Sequence, residues 1–225
     1  MKCRLIATVA VLGVLVAGAA IGDGVAREHT QQRLATDLAQ QVSGLGAPPD
    51  VRIIGFPFLT QILAGHLDDV RLTAPSLTVQ GLLLEHVDVR LRDVSTDTPM
   101  TAGQAVVEAD VSLANLQKAL DLPADLAIRD GHLVASTTVL GLSLEALLVP
   151  RPAGRAIAVD LTSLSLGGQS VDASSLPSAI RDQLSGLSIP VDALPAGMEL
   201  TAVTLTDSGA HLEARGTDVV LEVPA

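Results

Sequence analysis

The sequence predicts an α+β protein in which a predominantly antiparallel, curved β-sheet wraps around one or more helices. Three observations carry this expectation. From Asp50 onward apolar residues recur with a period of two, as in strands with one buried and one wet face. Strand-like stretches follow one another at short intervals, mostly separated by Gly or Pro, which favours antiparallel neighbours. The helical period dominates only before Asp50, between residues 24 and 43.

At the N-terminus, Lys2 and Arg4 precede an uninterrupted apolar run, residues 5–21, that Asp23 ends. As a helix the run would span about 25 Å at roughly 1.5 Å per residue, a little less than the ~30 Å hydrocarbon core of a bilayer. Residues 1–22 therefore read as either a signal peptide or a membrane anchor helix. Small residues Ala17-Gly18-Ala19-Ala20 offer a cleavage site. The basic flank keeps the N-terminus inside and sends the remainder to the outer face of the plasma membrane. Asp23 suits the start of a second helical stretch in which Leu34, Leu38 and Val42 recur at four-residue spacing, and Gly44, Gly46 and Pro48-Pro49 stop it. Residues 23–46 thus form either a stalk or the first helix of the exported domain, which occupies residues 47–225.

Within that domain the clearest strand covers residues 82–94, where Val87, Val89 and Leu91 oppose His86, Asp88, Arg90 and Arg92. Residues 104–113 are similar, with Ala105, Val107, Ala109, Val111 and Leu113 on one side. Further strands are expected near 68–79, 125–139, 142–149, 155–166, 199–206 and 210–223, with short helices near 113–120 and 176–185. A two-part organisation divided near Leu122-Pro123 is compatible with this order.

The composition restricts function. The net charge is −11, so nucleic acid is repelled and is not a partner. There is no Trp or Tyr, and only two Phe, so aromatic platforms for sugars or bases are nearly absent. The interior must be built of Leu, Val, Ile and Ala. The single cysteine, Cys3, precedes the apolar run, which leaves the exported part without disulfide or thiol chemistry. His66, His86, His132 and His211 show no metal-ligand spacing, and the sequence holds no nucleophile elbow, phosphate loop or dinucleotide fingerprint. No catalytic residue, metal or cofactor is expected; the protein reads as a non-enzyme.

The most distinctive local segment is Ile54-Gly55-Phe56-Pro57-Phe58-Leu59-Thr60-Gln61-Ile62-Leu63-Ala64-Gly65, which holds both aromatic residues of the chain. Pro57 presses Phe56 toward an extended backbone and suits the beginning of a helix. Leu59, Ile62 and Leu63 then share a helical face, and Gly65 ends it. Two uses are open for Phe56, Pro57, Phe58, Leu59, Ile62 and Leu63. They either plug one end of the core, or meet lipid by lining an apolar cavity or dipping into a membrane.

The stretch Gly55-Phe56-Pro57-Phe58-Leu59-Thr60-Gln61, followed by Gly65 and the Val70-Arg71-Leu72 strand, resembles the LmeA-like family of actinobacterial cell-envelope phospholipid-binding proteins. Leu194-Pro195-Ala196-Gly197 and a closing strand pair around Gly209 add to the likeness, which covers nearly the whole chain after residue 21. The resemblance implies an elongated, lipid-cradling architecture of the tubular lipid-binding kind. It also implies binding of phospholipid, including phosphatidylinositol species, and a supporting role in lipoglycan maturation in the envelope. No catalytic residues accompany it. The alternative expectation is an envelope scaffold with a solid core that docks on a protein partner.

Overall fold

A computed structural model describes residues 2–120, 124–139, 141–172, 187–191 and 194–221; for residues 2–21, 119–120, 139 and 187 it gives secondary structure alone. The expected helix near 176–185 lies outside the described residues, as does the Leu122-Pro123 boundary.

The chain opens on one continuous helix, α1 (Lys2–Gln41), spanning both the apolar run and the following amphipathic stretch. Then come β1 (Asp50–Ile54), α2 (Phe58–Leu63), β2 (His66–Val79), β3 (Leu82–Ser95), β4 (Thr101–Ser112) and α3 (Leu113–Leu120). Six strands follow: β5 (Asp125–Arg129), β6 (His132–Val139), β7 (Leu142–Pro152), β8 (Ala156–Leu166), β9 (Gln169–Asp172) and β10 (Leu187–Pro190). The chain closes on β11 (Met198–Thr206) and β12 (Gly209–Val220).

The strands form two antiparallel sheets, not one sheet curled on itself. The first has the order β1-β2-β3-β4-β12-β11; the second runs β10-β8-β7-β6-β5, with β9 on β8. The expected single strand over 125–139 is a hairpin. Asp130 and Gly131 both adopt left-handed backbone, φ 51° and 73°, which matches the twist of a two-residue turn. Gln80-Gly81 turns β2 into β3 in the same way, and Gly167-Gly168 turns β8 into β9.

The inner face of the first sheet has two covers, α1 beside the β1 edge and the second sheet beside the β11 edge. At the end where β2 begins, α1 and α2 cover it. Val51, Ile53, Phe58, Leu67, Val70 and Leu91 form a closed core there, joined by Ala26, Leu34, Ala35 and Leu38 of α1. The far end of α1 is tied down by Leu45, which bridges to Leu77, while the Thr78 amide donates to the Gly44 carbonyl at 2.8 Å. At the opposite edge of the first sheet, β7 and β8 of the second sheet lie against β11. The two sheets join where the Leu200 amide donates to the Gly154 carbonyl at 2.7 Å.

Candidate functional site

The half of the first sheet that faces the second is not filled. Small residues on its floor, Ala109, Ala210 and Ala214, leave room that no aromatic side chain occupies, because Phe56 and Phe58 lie at the opposite end of the β2–β3 hairpin. The result is two adjoining apolar chambers of about 220 and 230 Å³. Leu82, Leu116, Ile157, Ile189 and Leu212 line both. Gln80 in one and Ser188 in the other are the polar residues among the described lining, and none of the described lining residues is charged. Such walls supply apolar area without directional chemistry.

One rim is held by Arg155. Its guanidinium donates to the carbonyl oxygens of Pro195 at 2.8 Å and Leu194 at 2.5 Å, and its own carbonyl accepts from the Val191 amide at 2.8 Å. Val191 and Leu194 belong to the first chamber's wall, so one side chain fixes the Leu-Pro-x-Gly element against the cavity. Arg155→Ala is expected to free this rim, weakening retention of a bound apolar ligand several-fold while the two sheets stay folded. Ligand off-rates together with circular dichroism would check it.

The 54–65 segment forms as the sequence suggests, with α2 running from Phe58 to Leu63 and Gly65 turning at φ 79°. Its six candidate residues nevertheless part company. Phe58 is 2% exposed and sits in the closed core; for this residue the expectation of a lipid-facing surface is corrected to that of a core plug. Phe56, Pro57, Leu59, Ile62 and Leu63 are exposed, Leu63 at 87%. None of the six lines the inter-sheet cavity. The reason is positional: α2 precedes β2, whereas the cavity begins where β2 ends.

Asp23 organises this segment from a distance. It does not cap a helix of its own, since α1 runs through it. Instead its carboxylate accepts the backbone N–H groups of Leu59 at 2.8 Å and Phe58 at 2.9 Å, capping α2 from another helix. Arg27 donates to the Gly55 carbonyl at 3.3 Å, and Gln31 accepts the Ile53 amide at 2.7 Å. The Leu59 and Phe58 amides, with the Arg27 charge nearby, hold the Asp23 carboxyl below the usual carboxylate range despite burial, which opposes this. A depressed folded-state value stabilises the fold above the unfolded pKa of about 3.9, and that contribution is lost as pH falls through the folded value. Asp23→Asn should therefore lower the Tm by several degrees at neutral pH and flatten the loss of Tm below about pH 4. Thermal melts of both proteins from pH 3 to 7 would show it.

On the outer face of the first sheet, residues far apart in sequence meet. His211 Nδ1 lies 2.8 Å from one oxygen of Asp110, and His86 Nδ1 lies 3.2 Å from the other. The His211 hydrogen bond is the main cause holding the Asp110 carboxyl below its ordinary value. Among the described residues no group of three His, Cys, Asp or Glu is arranged to hold a metal ion. Among the residues whose side chains are described, no helix is long and apolar enough to cross a membrane; the run at residues 5–21 lies outside them.

The cavity residues were visible in sequence only as the apolar side of a strand. Val107, Ala109 and Val111 alternate as expected, but alternation does not tell what stands opposite. A family model described as LmeA-like phospholipid-binding matches residues 21–215. No curated protein and no solved structure matches the chain.

Proposed function

The chain belongs to the LmeA-like phospholipid-binding family, and from that premise we propose that it is a non-enzymatic phospholipid holder of the cell envelope whose inter-sheet cavity takes the acyl chains. The apolar run at residues 5–21 enters the plasma membrane, and the remainder stands on its outer face. There the protein serves envelope lipid or lipoglycan maturation by storing or presenting lipid, with phosphatidylinositol species among the ligands to be tried first.

The observation that carries this reading is the pair of adjoining chambers whose described lining residues are apolar but for Gln80 and Ser188. An acyl chain entering the chambers would gain about 0.8 kcal/mol for each methylene buried. The headgroup would stay outside, since no described lining residue is charged to receive it.

Native mass spectrometry of the full chain, purified in mild detergent after exposure to phosphatidylinositol or phosphatidylglycerol vesicles, tests this. Phospholipid should remain bound at a fixed stoichiometry. Absence of bound lipid under every composition would refute the reading and favour a scaffold that docks on another protein.

A further inference from the structure

We propose that the exposed face of α2, with Phe56 before it, is a foot that rests in the interfacial layer of a phospholipid bilayer beside α1. The inference deepens the reading above and rests on its placement of residues 5–21 in the membrane.

Among the described residues, exposed large apolar side chains gather at one end of the molecule. Val25, Ile54, Phe56, Leu59, Ile62 and Leu63 belong to the start of the part of α1 whose side chains are described, the end of β1, the β1–α2 link, or α2. Met100, at the same end of the first sheet, joins them. Leu142, Leu166 and Val171 sit apart, on β7, β8 and β9. A cluster of this density on a soluble surface marks an interaction site.

Its position selects the partner. Asp23, which caps α2, lies two residues beyond the apolar run on the same helix. That is about 3 Å along the axis at roughly 1.5 Å per residue. Arg27 and Gln31 fasten the backbone on the other side of Phe56. The foot is therefore fixed at the level where α1 leaves its apolar surroundings. The chemistry agrees. Residues 54–65 carry no charged side chain in a protein of net charge −11, so the segment adds no repulsion of its own against anionic headgroups. Apolar side chains on a short helix are the features by which an element lies in an interface without spanning it.

The test uses the full chain with Cys3→Ser, reconstituted into vesicles of phosphatidylcholine and phosphatidylglycerol. An environment-sensitive fluorophore is placed in separate preparations at Leu63→Cys, at Val14→Cys within the apolar run, and at Leu142→Cys. Nitroxide-bearing lipids serve as quenchers. Leu63 is 87% exposed, so the label does not disturb the core. The expected result is quenching at positions 14 and 63, exceeding that at 142 by roughly twofold or more, with the position-63 label at headgroup depth. Quenching at 14 but not at 63 overturns the foot and leaves the anchor standing. Quenching at 63 but not at 14 supports the foot and refutes the anchor. Quenching at neither overturns both. Apolar emission at 63 without lipid quenching means a second copy or another protein covers the face, and also overturns the proposal.

Discussion

Replacing Phe58 with Ala is expected to cost about 3–5 kcal/mol of stability, the range for truncating a buried aromatic side chain. Phe58 is 2% exposed and contributes to the core shared by β1, β2, β3 and α1. Its amide is also held by Asp23, so the emptied space cannot collapse by letting α2 swing inward. Phe56→Ala, two residues away on a side chain 68% exposed, should change stability by no more than about 0.5 kcal/mol. The contrast separates two adjacent aromatics that sequence cannot tell apart. Since the protein has no Trp or Tyr, urea unfolding followed by circular dichroism is the suitable measurement. Equal losses for the two variants would contradict the placement of Phe58.

The second large effect is on ligand. Leu212 lies on β12 and lines both chambers, so Leu212→Trp should obstruct their junction. Excluding even three methylenes at about 0.8 kcal/mol each removes about 2.4 kcal/mol, roughly fiftyfold in affinity. Stability should be unchanged or slightly higher, because the new ring fills volume that was void. The introduced Trp would be the chain's single indole, so its emission reports directly whether the cavity interior is dry. Lipid occupancy equal to that of the unaltered protein would mean that acyl chains bind elsewhere.

How far the sequence spoke can be judged element by element. The helix expected over 113–120 is α3 (Leu113–Leu120), since its apolar spacing follows at once on a strand whose alternation ends at Ser112. Along β4 the expected face appears in Ala105, Ala109 and Val111, which are buried, and Val107, which is half-buried, whereas Leu113 opens α3 instead of closing the strand. The second sheet was not legible. Its strands carry the same period as those of the first, and a period of two fixes a face without fixing a partner. Local backbone choices obscured more. His86 and Asp93 adopt left-handed backbone at φ 51° within β3. The buried residue after Leu91 is therefore Val94, not residue 93. The division between closed core and open cavity was equally hidden, because Val, Leu and Ala serve both. It is decided by what faces them: the Leu34–Leu38 side of α1 over one half of the first sheet, and a second sheet set over small residues in the other.

The continuity of α1 has a mechanical consequence. From Asp23 to Gln41 the helix runs about 27 Å at roughly 1.5 Å per residue. It is pinned to α2 at its near end and tied to β2 through Leu45 and Leu77 just beyond its far end. Val79 and Gln80, which border the first chamber, lie immediately past that tie. The helix is thus a strut of fixed length, and Val79 and Gln80 of the first chamber stand just past its tip. Under the proposed placement of residues 5–21 in a bilayer, this strut would set the height at which Val79 and Gln80 stand above it, about 27 Å from Asp23 at roughly 1.5 Å per residue.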